Sequence, residues 1–156
     1  MVPERFWNGN IDELAIWDQS LTDSEITALY NSGSDLSALS NFGEYVSATS
    51  LLGIWDFNDG EGSTLTDLSG NGNDGLISGA SWSDSVPSIT SLNNYSLSFD
   101  GEDYVDLSSS PVFSGVQNNY TISAWIKPES FDGWGAVFNH RAHNQGVYLN
   151  VTPEGQ

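Results

Sequence analysis

Asp67-Leu68-Ser69-Gly70-Asn71-Gly72-Asn73-Asp74-Gly75 concentrates the hard oxygen donors of this 156-residue chain into one short stretch. Its glycines let the backbone turn carbonyls inward, and its Asp and Asn side chains add further oxygens, which is what Ca²⁺ demands at roughly six to eight coordination. The same residues also build a turn held by Asx hydrogen bonds with no metal. Composition alone leaves both readings open, and the spacing is not that of an EF-hand loop.

Other reactive residue types are sparse. His140 and His143 lie in Asn139-His140-Arg141-Ala142-His143-Asn144. A His-x-x-His pair can ligate zinc, but no third ligand is placed by spacing and Arg141 between them opposes a cation, so solvated loop histidines are expected. No Ser, Cys or Lys nucleophile stands in a known motif, and no phosphate loop is present. Among six tryptophans, Trp17, Trp55 and Trp125 fall inside strand-like runs and are expected in the core, while Trp7, Trp82 and Trp134 fall near turns. A loop tryptophan can stack on the apolar face of a sugar and donate through its indole N–H. Trp134, after Phe131-Asp132-Gly133, is the candidate for that role.

Charge narrows the partners. Three Lys+Arg stand against 21 Asp+Glu, a formal net charge of -18. Such a surface repels phosphate backbones, because nucleic-acid affinity comes from cationic residues that displace counterions, so no nucleic acid is expected. Acids without lysine partners suit divalent cations or simply a solvated surface. With no cysteine there is neither a disulfide nor a thiolate metal site. No apolar run approaches the ~18 residues of a membrane span, so no membrane insertion is expected. The first residues lack signal-peptide features, so an export signal would lie outside this chain.

The elements that must position these residues are mostly strands. Asn10 to Asp18 is rich in Ile and Trp and bounded by turn residues. Then the period changes: Thr22-Asp23-Ser24-Glu25 is a capping box, Leu21 and Ile26 form a hydrophobic staple, and Ile26, Leu29 and Tyr30 give an apolar stripe that ends at Gly33. Residues 34–50 are Ser- and Asn-rich and read as a linker. From Leu51 the chain is strand-like throughout: Leu51–Phe57, Gly75–Ile77, Tyr95–Phe99, Tyr104–Leu107, Tyr120–Lys127, Gly135–Asn139 and Gly146–Val151. Tyr95–Phe99 and Tyr120–Lys127 alternate strictly, and the spacing of turn residues predicts an all-β antiparallel sandwich with one short helix near the N-terminus. Leu14-Ala15-Ile16-Trp17-Asp18 and Leu52-Gly53-Ile54-Trp55-Asp56 nearly match, but one leads to a helix and the other to a glycine-rich loop, so they are two core strands and not a repeat.

Four blocks in order carry a family resemblance: Gly53-Ile54-Trp55-Asp56-Phe57-Asn58-Asp59-Gly60-Glu61-Gly62, then Asp67 to Gly75, then Leu97-Ser98-Phe99-Asp100-Gly101-Glu102-Asp103-Tyr104-Val105, then Thr121-Ile122-Ser123-Ala124-Trp125-Ile126-Lys127-Pro128. They resemble the opening two-thirds of a laminin-G-like domain of the concanavalin-A-like jelly-roll superfamily. Asn8 to Trp17 with the helix after it resembles the closing strand and helix of the same family and of the pentraxins. The resemblance implies that residues 1–33 end one module, 34–50 link, and 51–156 begin a second. The two pieces could pack together as one permuted, incomplete sandwich. An open sheet edge would then invite self-association.

The resemblance also implies a calcium site with Asp67, Asn71 and Asn73 as ligands and Asp12 from the closing strand as a supplement. Superfamily glucanases carry Glu-x-Asp-x-Glu on one strand, whereas Glu102-Asp103-Tyr104-Val105-Asp106 has the wrong pattern, so no enzyme is expected. The implied function is an extracellular, calcium-stabilised binding module for a glycan or a surface protein, within a tandem-repeat protein. The alternatives are a structural spacer, a protein adhesion repeat, or an accessory domain of a larger glycoside hydrolase.

Overall fold

A computed structural model describes residues 6–31, 37–86, 94–110, 119–129, 135–142 and 145–152. Its elements are β1 (Asn8–Trp17), α1 (Asp23–Tyr30), β2 (Leu51–Trp55), β3 (Thr64–Leu65), β4 (Gly75–Ser78), β5 (Ser81–Ser83), β6 (Ser96–Asp100), β7 (Tyr104–Asp106), β8 (Thr121–Pro128), β9 (Gly135–Ala142) and β10 (Gln145–Val151). The expected antiparallel β-sandwich with one short helix is what forms. One sheet runs β2-β1-β6-β5 with β8 also on β1, a second runs β3-β4-β7, and β9 and β10 make a hairpin. The short strands β3 and β5 lie in Ser- and Gly-rich text that gives no period to read. At the other extreme, β9 extends through His140 and Arg141, so the expected polar loop between strands is shorter than its composition suggests.

β1 organises the molecule. All of its pairings are antiparallel: its first half pairs with β6, its second half with β2, and nearly its whole length with β8. Along β8 the register steps from Asp12↔Trp125 to Ala15↔Ser123, so three steps on β1 oppose two on β8. Glu13 absorbs the extra residue with φ 50, the left-handed conformation of a bulge. The bulge resets the alternation. Ile11, Leu14 and Ile16 face the core between the sheets, with Trp7, Trp55, Phe57, Leu65, Leu97 and Phe99. Ala15 and Trp17 face a second cluster with Ala38, Tyr45, Leu51 and Ile54. The second sheet closes the first core through Leu65, Ile77 and Val105, β8 through Ile122, Ala124 and Ile126, and the hairpin through Val137, Phe138 and Val151.

The second cluster needs a cover, and α1 with residues 37–50 supplies it. The capping box forms as expected: the Glu25 amide donates to Thr22 Oγ1 at 3.3 Å and the Thr22 amide to Glu25 Oε2 at 3.0 Å. The inward face of the helix is not the expected stripe. Glu25 is buried, and Ala28 and Leu29 pack on the second cluster, whereas Ile26 and Tyr30 are 49% and 57% exposed. The reason is that Glu25 Oε1 also accepts from the Val46 amide and the Ser47 hydroxyl, which turns that side of the helix toward the 37–50 segment. Leu21 still packs on the cluster, so only the Ile26 half of the staple is lost. Asn31, in the left-handed conformation, caps the C-terminus, and Gly33 lies outside the described residues.

Residues 37–50 therefore do more than span a gap. Tyr45 is fully buried, its hydroxyl accepting from Trp17 Nε1 at 2.9 Å and donating to the Ala38 carbonyl at 2.9 Å. Burial pushes the Tyr45 hydroxyl pKa up, against the Trp17 hydrogen bond, with the Glu25 charge adding to the rise. Elsewhere, Trp7 is a core residue despite its position by a turn, and Trp125 is half-buried and stacked on Tyr30 at 5.8 Å. Tyr95 falls outside β6 and is partly exposed, while Ser96, expected on the wet face, is buried between Asn10 Nδ2 and the Ser85 carbonyl.

Candidate functional site

The loop from Asp67 to Gly75 folds back onto β2. Asp67, Asn71 and Asn73 lie together there, and their side chains are engaged mainly by the backbone of the loop and of β2. Asp67 Oδ1 accepts from the Ile54 amide at 3.1 Å and the Ser69 amide at 2.9 Å, and Oδ2 accepts from Ser69 Oγ at 2.8 Å and the Asn73 amide at 2.9 Å. An ionised carboxylate has about four lone-pair positions, and each of these donors takes one. Asn71 Nδ2 donates to the Leu51 and Leu52 carbonyls at 2.9 and 3.1 Å, and Asn73 Nδ2 donates to the Leu52 carbonyl at 2.7 Å. The Asn73 carbonyl takes the Trp55 indole N–H at 3.0 Å, which ties the loop to the core.

These residues fit a hydrogen-bonded clasp and not a calcium cage. Calcium requires oxygens with lone pairs directed at a common point, and the Asp67 carboxylate has none left over. Asn73 Oδ1 is buried without a hydrogen-bond partner, yet one neutral oxygen falls far short of the roughly six to eight that calcium gathers. Asp74 supports the same clasp, its Oδ1 accepting from the Asp67 amide at 2.9 Å. Asp12 is placed elsewhere, fully buried in β1 opposite Trp125, with Oδ1 accepting from the Glu13 amide. Among the described residues no three Asp, Glu or His side chains converge as a metal site.

The acids around Glu102–Asp106 rim a turn and a strand. Asp100 Oδ1 accepts from the Glu102 amide and Asp103 Oδ2 from the Asp100 amide, so both hold the turn before β7. Asp106 on β7 accepts from the Ser108 amide at 2.8 Å, and hydrogen bonds from Ser108 hold its carboxyl below the usual range. Trp134, His143 and the His140 side chain lie outside the described residues.

One surface was not legible in the sequence. The second sheet turns Leu65, Ile77 and Val105 inward, and pleating leaves Leu76 and Tyr104 on its other face, 58% and 47% exposed. Phe6 stacks on Tyr104, with ring centroids 6.2 Å apart and planes 27° from parallel. Leu76 lies opposite Asp106 and Ser78 opposite Tyr104 across the β4–β7 ladder, so aromatic, aliphatic, carboxylate and hydroxyl groups share one open face. The pairing that creates this face joins residues too far apart in sequence for a local pattern to announce it.

No helix among the described residues is long and apolar enough to cross a membrane. No curated protein and no solved structure matches the chain. Residues 99–156, which hold β7 to β10, match the laminin-G model of the concanavalin A-like lectin/glucanases superfamily, and over that stretch the resemblance read from the sequence is confirmed.

Proposed function

We propose that this chain is a non-catalytic binding module of an extracellular protein, and that it takes a carbohydrate on the open face of the β3-β4-β7 sheet. The observation that carries this reading is the exposed Tyr104 ring, backed by half-buried Phe6 and beside exposed Leu76. A pyranose ring offers an apolar C–H face that stacks on such rings, while Asp106 and Ser78 can take its hydroxyls. The net charge of -18 favours a neutral or amine-bearing glycan over an acidic one. Hydrogen bonds from Ser108 hold Asp106 below the usual carboxylate range, which suits it to accept from sugar hydroxyls and not to act as a glycosidase general acid. The superfamily match over 99–156 is consistent with carbohydrate binding or adhesion.

The tandem-repeat reading rests on β1. Although it precedes α1 in sequence, it fills the slot between β8 on one side and β2 and β6 on the other, the place a closing strand would take. β8 pairs only with β1 among the described strands, which supports association through its outer edge. The reading as an adhesion repeat or spacer draws on the same observations.

The deciding experiment is a glycan array with the whole chain, followed by titration of Tyr104→Ala and Tyr30→Ala. Loss of one stacking contact, worth about 1 kcal/mol, weakens binding by roughly five- to tenfold for Tyr104→Ala and leaves Tyr30→Ala near the parent. A blank array refutes the glycan reading and leaves the adhesion repeat. Binding that depends on Tyr30 instead moves the platform to the Tyr30–Trp125 stack.

A further inference from the structure

Two Asn-Gly dipeptides occur in the chain, Asn8-Gly9 and Asn71-Gly72. In such a pair the glycine amide nitrogen can attack the asparagine side-chain carbonyl carbon. The new C–N bond closes a succinimide, the side-chain nitrogen leaves as ammonia, and solvent water opens the ring to aspartate or isoaspartate. The net change is amide plus water to carboxylate plus ammonium, with no oxidant or reductant. Ring closure needs a glycine backbone free to approach, and the fold treats the two sites differently.

Gly9 is locked. It pairs with Phe99 on one side and Pro128 on the other, and a Cβ built on it would sit 2.3 Å from the Lys127 carbonyl oxygen. Gly72 is open: Asn71 and Gly72 are both exposed, neither belongs to a strand, and a Cβ on Gly72 would meet nothing within 4 Å. The Asn71 side chain is held by its donation to the Leu51 and Leu52 carbonyls, and its own amide donates to Ser69 Oγ at 3.2 Å. The two side-chain hydrogen bonds slow ring closure relative to an unfolded chain. They also decide what the product does.

We propose that Asn71 is a site of spontaneous deamidation and isomerisation, and that its conversion unlatches the loop from β2. A carboxylate in place of the amide has no N–H to offer and faces two carbonyl oxygens. Leu52 O keeps the Asn73 and Ser69 donors, whereas the Leu51 carbonyl loses the Asn71 donor at the start of β2. An isoaspartate also adds a backbone methylene between Gly70 and Gly72, both of which have positive φ in this turn. The Asp67 bonds remain, so the change is a loosening of the outer loop and not a loss of the fold.

The test ages the intact folded chain at mildly alkaline pH and follows both dipeptides by peptide mapping with mass spectrometry, with enzymatic methylation to mark isoaspartate. A parallel sample is held in denaturant. Asn71 is expected to convert at least several-fold faster than Asn8 in the folded chain, with the two rates converging in denaturant. Equal protection of Asn71 and Asn8 in the folded chain overturns the modification site. The consequence is read separately on Asn71→Asp, which should melt below the parent and exchange the Leu51–Leu52 region amides faster. An unchanged melt and unchanged exchange overturn the unlatching.

Discussion

Replacing Asp67 with asparagine separates a hydrogen-bonded clasp from a metal ligand, because the two roles respond differently to calcium. The side chains have nearly the same shape, so packing is kept while one carboxylate oxygen becomes an N–H₂ group. Whichever way the amide turns, two donors lose their acceptor: the Ile54 and Ser69 amides in one orientation, or Ser69 Oγ and the Asn73 amide in the other. The Ser69 hydroxyl can rotate away. The backbone amides cannot, and each unsatisfied buried N–H costs about 1–3 kcal/mol. With the loss of charge assistance, the total is about 2–4 kcal/mol. At roughly 2–4 °C per kcal/mol for a chain of this size, the midpoint falls by about 4–16 °C. The assay is a thermal melt of parent and Asp67→Asn, each with calcium and with chelator. The clasp requires the same drop in both conditions. A parent that calcium stabilises, beside an Asp67→Asn variant that matches the parent in chelator, would refute the clasp and restore the calcium ligand set.

Other consequences are equally direct. Tyr45→Phe removes the hydroxyl shared by Trp17 Nε1 and the Ala38 carbonyl and leaves both buried without a partner. Chemical denaturation should show a loss of about 2–4 kcal/mol with little change in the m-value. Glu25→Gln tests the helix clasp: the Ser47 hydroxyl first, then the Thr22 amide, hold Glu25 below its ordinary value of 4.5, against the opposing effect of burial. A depressed folded pKa contributes stability that is present above the unfolded value and lost as pH falls through the folded one. The parent should therefore exceed Glu25→Gln by about 1 kcal/mol at neutral pH, with the gap closing below pH 4.5. A constant gap from neutral to acid pH would contradict the assignment.

How much of this was legible depends on whether the signal was local. The capping box from Thr22 to Glu25 needs only residues three apart, and it formed as read. The loop from Asp67 to Gly75 stands out by its composition, and its Asp and Asn residues lie together on β2. What its composition left open was the direction of their lone pairs. Hard oxygens and glycines are equally what a metal cage and a backbone clasp require. The choice depends on which N–H groups stand nearby, and here they come from Ile54 and Asn73. The open face at Tyr104 depends on β4 pairing with β7, a long-range register that local alternation does not fix.

The same distinction explains why residues 37–50 looked like a linker. Their Ser and Asn content is that of a segment with no core of its own, and in isolation they have none. Their partner is the outer face of β1, and that face exists because Glu13 adds a residue to the strand. Without the bulge, Ile11, Leu14 and Ile16 could not share the inner core, since positions 11 and 14 fall on opposite sides of an unbroken strand. With it, Trp17 and Ala15 are turned outward as a second apolar surface that water must not reach. Tyr45 and Ala38 close over that surface, and Glu25 fixes the segment in place through Val46 and Ser47. One residue in a left-handed conformation thus sets the pattern for two cores, and the polar segment is ordered by the second of them.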